Sequence, residues 1–449
     1  MRDSILAVLA LALGAFPVIL VTAETPTSPA PAARVIDLEE CISLGFAHDA
    51  GLRSDELETR IADARIREMQ GQYLPSLSLQ TGYSRLSDVR AGAISTPFSP
   101  VPIQLPPSLN DNTSVRLSLQ QPLFTGQRIT SSIRQAEALR DSSRGDLAAS
   151  KLDLRYSITE AFWKLAKAKT QVQAISQSVT QSETHLADAK KLLDQGAATN
   201  NDVLQAEMRL EDAHIELASA RSARDIARSG LAILIGLPWN ADFDIPDATA
   251  LTTAAPIESL QDLVARALSS RPEIQAARSR VTASEASVDV ARAGLFPNVF
   301  ITGDYTIADP NQRIFPQSNQ FDWTWSIGIL ASIDVGRYPQ VLAQEEQARN
   351  KLAQAQESSH KIADMVTTDV IRAYITLNEA VGRVASLHRE TAQAEENDRV
   401  TQERYRHGVA LSSESLDAQT LLVRARLRED GALFDCAVAK AALERAKGQ

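Results

Sequence analysis

Cysteine is almost missing from this chain: 449 residues hold two, Cys41 and Cys436. No disulfide framework can be built from that, and the two thiols either pair with each other or stay as separate buried groups. Aromatic residues make up 5%, and the six histidines are scattered. His185, His214, His360, His388 and His407 lack the spacing of a metal site. There is no Gly-x-Ser-x-Gly elbow and no phosphate-binding glycine loop ending in Lys-Ser or Lys-Thr. Asp242, Asp244 and Asp247 lack the glycine and final glutamate of a calcium loop. The enzyme, cofactor and metal-site classes find no support in these residues. A net charge of −10 gives no support to nucleic-acid binding. Beyond the N-terminus no run of about 18 apolar residues occurs, so any membrane crossing falls to strands. A hydrophobic fraction of 44% with 23% charged residues argues against general disorder.

What is present begins with an export signal. Arg2 precedes an apolar run from Ile5 to Val21, and Val21-Thr22-Ala23 offers small residues before a cut at Glu24. Residues 1–23 read as a signal peptide and 24–36 as a proline-rich linker. Cys41 lies too far past the cut to carry a lipid anchor.

The remainder is written twice. Gly196-Ala197-Ala198 through Asp202-Val203-Leu204-Gln205-Ala206 recurs as Gly408-Val409-Ala410 through Glu414-Ser415-Leu416-Asp417-Ala418, an offset of 212 residues. The same offset joins Ala161-Phe162 to Ala373-Tyr374 and Gly236 to Gly448. Upstream the offset is 222, joining Leu52 to Ile274, Pro75 to Pro297 and Tyr83 to Tyr305. A tandem duplication follows, with repeats at 37–240 and 257–449 and a linker at 241–256.

Each repeat contains a long heptad stretch. Ile158, Leu165, Val172, Val179, Leu186 and Leu193 stand seven apart, with Ala161, Ala168, Ile175, Ser182 and Ala189 beside them. The second copy keeps Val370, Leu377 and Val384. On the returning segments the beat is alanine, at 206, 213, 220 and 227 and again at 418, 425, 432, 439 and 446. Such spacing keeps one seam against a partner helix, and small side chains let backbones approach closely. Two helical hairpins are expected, starting near 127 and 338 and turning at glycine. A helix of about 70 residues would reach roughly 105 Å, too long for one globular core.

Between the helices lie four stretches of period-two alternation, at about 74–86, 113–124, 296–308 and 321–335. Leu77, Leu79 and Tyr83 share a face in the first, and Val115, Leu117 and Leu119 in the second. Val299, Ile301, Tyr305 and Ile307 do so in the third, and Trp323, Trp325, Ile327 and Ile329 in the fourth. This is the pattern of outer-membrane strands, with Trp323 and Trp325 placed for an aromatic girdle. Four strands cannot close a barrel, so chains must pool them. Two chains would make eight strands with a filled lumen; three would make twelve, which suits a duct. The alternative is a soluble periplasmic coiled-coil adaptor or scaffold, which needs no lipid-facing strand face.

Tyr73-Leu74-Pro75-Ser76-Leu77 and Leu295-Phe296-Pro297-Asn298-Val299 enter strands, and Pro122-Leu123-Phe124-Thr125-Gly126-Gln127-Arg128 leads from strand to helix. With the duplicated order of elements, these motifs resemble the TolC family of outer-membrane efflux and secretion ducts, over about 37–448. The resemblance implies an α+β membrane protein, a homotrimer whose twelve-stranded β-barrel continues into a periplasmic α-helical coiled-coil barrel. It implies a periplasmic adaptor and an inner-membrane transporter as partners, and no cofactor. By the same likeness the hairpin tips dock the adaptor, through Gly196, Ala197, Ala198, Asp202, Gly408, Val409, Ala410 and Leu411. Glu414, Asp417 and Tyr405 match residues around the family's closed aperture, while Ala410 replaces its arginine and leaves Arg404 or Arg406 to serve a latch.

Overall fold

A computed structural model describes residues 34–87, 93–96, 98–104, 109–196, 198–246, 258–315, 317–406 and 409–449. The expected signal peptide, most of both expected linkers, and Ala197, His407 and Gly408 lie outside them. The first half runs β1 (Arg34–Val35), α1 (Leu38–His48), α2 (Ala50–Gly71), β2 (Ser76–Arg85), β3 (Ala93–Thr96), β4 (Ser99–Gln104), β5 (Asp111–Phe124), α3 (Arg128–Asp194) and α4 (Asn200–Leu234). After β6 (Phe243–Asp244) come α5 (Leu260–Ser270), α6 (Pro272–Arg292), β7 (Asn298–Asp309), β8 (Asp322–Ser332), α7 (Tyr338–Arg406) and α8 (Ser412–Lys447).

The long helices α3 and α7 have 67 and 69 residues, about 100 Å each at 1.5 Å per residue. Their heptads do what the spacing implies. Ile158, Leu165, Val179 and Ala168 are buried, and so are Ala206, Ala213 and Ala220 on α4 and Ala418, Ala425, Ala432, Ala439 and Ala446 on α8. Partway along each long helix a larger core forms. Ile158, Phe162 and Leu165 pack with Cys41, Leu231, Ile235 and Phe243 in one; Val366, Val370 and Ala373 pack with Leu263, Ile274 and Leu443 in the other. The short helices α1–α2 and α5–α6 bend at these cores, and the return helices end against the bends. Gly236 (φ +75°) closes α4 where a Cβ would strike the His48 side chain, and Gly448 (φ +83°) closes α8 where a Cβ would lie 3.3 Å from Arg271 Cα. Both need a left-handed backbone and no Cβ in the same place.

Cys41 and Cys436 are both free and buried, in separate clusters. Burial, with Asp37 and Glu40 nearby, pushes the Cys41 thiol up to about 12, so it is inert as a nucleophile at neutral pH.

The four long strands form one antiparallel sheet in the order β2-β5-β7-β8. Strands β2 and β7 begin just after Pro75 and Pro297, which have no N–H to give a ladder. Strand β8 stops at Ser332, short of the expected 335, because Val335–Arg337 turn into a 3₁₀ helix leading to α7. Two small pairings had no signal in the sequence reading. The hairpin β3–β4 sits in the first strand-to-strand link, and β1 pairs in parallel with β6, tying residues of the two expected linkers together. Among the described residues no helix is long and apolar enough to cross a membrane.

Candidate functional site

The sheet register stacks the alternating residues into two unlike faces. Leu79, Leu117, Tyr305 and Trp325 stand in one row across the four strands, flanked by Thr81, Val115, Ile307 and Trp323. The opposite face carries Ser78, Ser118, Asp304 and Ser326 in one row and Gln80, Arg116, Thr306 and Thr324 in the next. Ser118 Oγ donates to Asp304 Oδ1 at 2.6 Å on that polar side. The apolar face is bare: Trp323 and Trp325 are each 63% exposed, and Ile327 and Ile329 still more so. Trp323 stacks on Tyr305, with ring centroids 6.1 Å apart. Among the described residues, the outer edges of β2 and β8 have no strand partner.

The first hairpin tip is closed by local chemistry. Gly196 takes φ +72° at the end of α3, and Ala198 N donates to Leu192 O at 3.2 Å. Thr199 then caps α4. Its N–H donates to Asp202 Oδ2 at 2.8 Å, and Asp202 N–H donates back to Thr199 Oγ1 at 3.3 Å. The Thr199 N–H, with the Thr199 hydroxyl that donates to the same Oδ2 at 2.7 Å, holds the Asp202 carboxyl below the usual range. Asp202 is thus engaged in a capping box.

The second tip is looser. Val409 N donates to Arg404 O at 2.8 Å, but α8 starts after Leu411, whose side chain caps nothing. Val409 and Leu411 are exposed. Of the three residues matched to the aperture, Glu414 is exposed in the first turn of α8, while the other two meet the first hairpin of the same chain. Asp417 Oδ1 lies 3.6 Å from Arg209 on α4, and the Tyr405 ring lies 6.2 Å from the half-buried His185 of α3. Burial lowers the His185 pKa against the opposing pull of Asp188. Arg209 and His185 carry no motif, and no spacing pointed to them. Between α3, α4 and α8 runs a groove of about 610 Å³, lined by Gln181, Arg209, Glu216 and Arg424 among others.

A family model described as outer membrane efflux protein matches residues 42–237 and 263–449. The chain belongs to the outer membrane efflux protein family. Among its relatives, protein CyaE of Bordetella pertussis is 27% identical over 295 residues, 65% of this chain and 60% of that protein. The cobalt-zinc-cadmium resistance protein CzcC of Cupriavidus metallidurans is 24% identical over 63% of this chain and 61% of its own length. The outer membrane efflux protein BepC of Brucella suis is 24% identical over 90% of this chain and 83% of that one. The matches to the first two therefore span about three fifths of those proteins. Among solved structures, the outer-membrane channel OprN superposes with a TM-score of 0.75 at 22% identity, covering 92% of this chain and 89% of that one. The outer membrane protein VceC of Vibrio cholerae gives 0.75 at 18% identity, covering 92% and 96%. The fold of this chain is the fold of those outer-membrane proteins, with a four-stranded sheet on a mostly helical body.

Proposed function

We propose that this efflux protein is the exit duct of a pump or secretion system, built from three chains that pool their strands into a twelve-stranded barrel in the outer membrane. The observation that carries this reading is the sheet, with one apolar face, one polar face and two unpaired edges. In a bilayer every backbone N–H and C=O must be satisfied, so β8 of one chain must pair with β2 of the next until the sheet closes. The apolar face then meets lipid, with Trp323 and Trp325 in the girdle, and the polar face lines the lumen. The helices support the same assembly. Leu204, Met208, Ile215, Ile226 and Ile233 are exposed on α4, and at about 100° per residue they fall on one stripe. A neighbouring chain is the partner that would cover it.

The tips formed by Gly196, Ala197, Ala198 and Asp202 and by Gly408, Val409, Ala410 and Leu411 are proposed to dock a periplasmic adaptor, with an inner-membrane transporter behind it. Glu414 is the residue proposed to face the aperture. Asp417 and Tyr405 act as its latch through Arg209 and His185, a role for which Arg404 makes no side-chain bond among the described residues. Relatives are named for cobalt, zinc and cadmium resistance, for fusaric acid resistance and for pyoverdine export. On this reading the duct is passive and the parts upstream choose the cargo. Light scattering on protein extracted from outer membranes in mild detergent tests the proposal. A trimer supports it, whereas a soluble monomer or dimer favours the periplasmic scaffold instead.

A further inference from the structure

The end of the sheet away from the helices carries a segment that none of these roles uses. The link from β7 to β8 folds back over the polar face. Asn311, 4% exposed, donates from Nδ2 to Asp322 O at 3.0 Å and approaches Thr324 Oγ1 at 3.4 Å. Arg313 N–H donates to Asn311 Oδ1 at 3.1 Å, and its Nη1 donates to Trp325 O at 3.1 Å. Asn311, Gln312 and Arg313 line one side of a recess of about 310 Å³. The other side is the polar face itself, from Arg116 of β5 across Asp304 of β7 to Ser326 of β8. The recess follows β7 from Ala308 to Asp304, a stretch of about 13 Å at 3.3 Å per residue. The link is therefore a second layer of chain on the polar side, pinned by a buried asparagine.

In the three-chain barrel proposed above, the polar side is the lumen and this ledge stands at the outlet. Twelve strands about 4.8 Å apart and tilted by about 40° enclose a backbone radius of roughly 12 Å. A layer of chain packed on a sheet stands up to about 10 Å from it, so three ledges take up much of the bore. The charges on this side differ in where they sit. Asp304 and Asp322 belong to the strands, and each carboxylate accepts a hydrogen bond, from Ser118 at 2.6 Å and from Gln320 at 3.4 Å. Arg116 adds a positive charge to the wall of the recess. Arg313 is exposed and rides on the ledge, and its guanidinium bonds a neutral carbonyl rather than a carboxylate. We propose that Arg313 sets the ion preference of the outlet, favouring cargo that bears a carboxylate or phosphate and opposing cations. This rests on the duct reading. A fixed charge carried into a narrowed, polar passage acts at short range on every ion that leaves.

The test uses the full-length protein in planar bilayers under a potassium chloride gradient, where the reversal potential reads ion preference. Arg313→Glu should raise the cation-to-anion permeability ratio by about threefold or more, and Arg313→Gln by less. Arg313→Cys, treated from the outer side with a cationic thiol reagent, should regain the wild-type preference, and an anionic reagent should reproduce the Arg313→Glu shift. Cys41 and Cys436 are buried, so background labelling is low. Asn311→Ala, which unpins the ledge, should reduce the Arg313→Glu shift by roughly half in the double variant, with the trimer intact by light scattering. Channels whose preference is unmoved by Arg313→Glu and by both reagents overturn the assignment and leave the duct standing. A wild-type protein that opens no channel at all removes the duct, and the role of Arg313 with it.

Discussion

The hairpins α3–α4 and α7–α8 are two versions of one element, set 212 residues apart, and they are held shut by different forces. In the first, the heptad row stays apolar to the tip: Val172, Val179, Leu186 and Leu193 pack against Val203, Ala206, Leu210, Ala213 and Leu217. In the second, the corresponding row runs Val384, Thr391, Asp398 and Tyr405, facing Ser415 and Glu429 where Val203 and Leu217 stood. Thr391 and Ser415 are buried at 6% and 2% exposure. Among the described residues, Thr391 Oγ1 and Asp398 Oδ1 are buried without a hydrogen-bond partner. The apolar clusters of this hairpin end near Val384. Beyond it, helix meets helix through Arg426–Glu395 at 2.8 Å, His388–Glu429 at 2.7 Å and Arg428–Glu390 at 2.5 Å. Exposed pairs of this kind contribute about 0.2–1 kcal/mol each, less than the burial of one leucine, at about 1.5–3 kcal/mol. A shared alanine row lets both hairpins close, but among the described residues only the first has clusters of buried large apolar side chains in its distal half. Local opening should be easier in the second.

The largest effect should come from making the first hairpin resemble the second. Val179→Thr, Leu186→Asp and Leu217→Glu together remove the distal seam and bury polar groups without partners. We expect the local opening free energy of α3 around 175–190 to fall by on the order of 5 kcal/mol. Hydrogen exchange of those amides should then match α7 at 387–402. Undiminished protection would show that the seam is not what holds the hairpin.

The reverse exchange should be smaller. Thr391→Val removes a buried hydroxyl that makes no well-formed hydrogen bond, although it stands beside the Glu429 carboxyl, and restores an apolar contact, a gain of about 1 kcal/mol or more. Slower exchange along α7, with α3 unchanged, is the expected reading; no change would mean that the hydroxyl is satisfied in solution. If the second hairpin moves when the duct opens, the same variant should also lower the open fraction in bilayers.

Much of this architecture was legible because it rests on repetition. The glycine turns, the prolines before the strands and the alanine rows each occur twice, and four alternating stretches gave the sheet to within a few residues. The contrast between the seams lies in the same offset, but the apolar row of the second copy keeps its period only to Val384 and then fades. Strand β4 contains Pro100 and Pro102, which count against a strand unless it is a short edge pairing. Two-residue strands such as β1 and β6 have no period to detect. At the site, Asp202 carries the pattern of a docking residue and of a capping residue equally. The pairs Arg209–Asp417 and His185–Tyr405 join residues more than 200 positions apart, and nothing local encodes such a meeting.

The tips give a third, smaller test of the contrast. Position 411 is the counterpart of Thr199, and Glu414 already stands three residues on. Leu411→Thr should therefore complete a capping box and stabilise the start of α8 by about 1 kcal/mol. Exchange at the amides of 413–415 should slow by roughly fivefold; unaltered rates would indicate that the second tip is fixed by other bonds.

The smallest effect is one of pH, and it separates the hairpins by sign. Burial holds the carboxyls of Asp398 and Asp430 above the usual range, Glu429 adding to the shift at Asp430. Carboxyls raised in the folded state stabilise it fully below their unfolded value, near 3.9, and lose that contribution as pH rises through the folded value. Asp202 is lowered by Thr199, so its contribution is present above the unfolded value and disappears as pH falls through the folded one. Glu429 is also lowered: burial alone would raise it, but the Thr391 hydroxyl and then His388 beside it outweigh that, and its contribution likewise fades only in stronger acid. As pH falls from neutral toward the unfolded carboxyl range, the raised pair stabilises the second hairpin, while His185, lowered by burial, costs α3 stability once the unfolded imidazole protonates. Acidification over that window should slow exchange in the distal second hairpin, after correction for the intrinsic rates, and quicken it in α3 around His185. Asp398→Asn with Asp430→Asn should abolish the gain. A gain that survives both changes would place the titrating groups elsewhere and cut the link between the polar seam and pH.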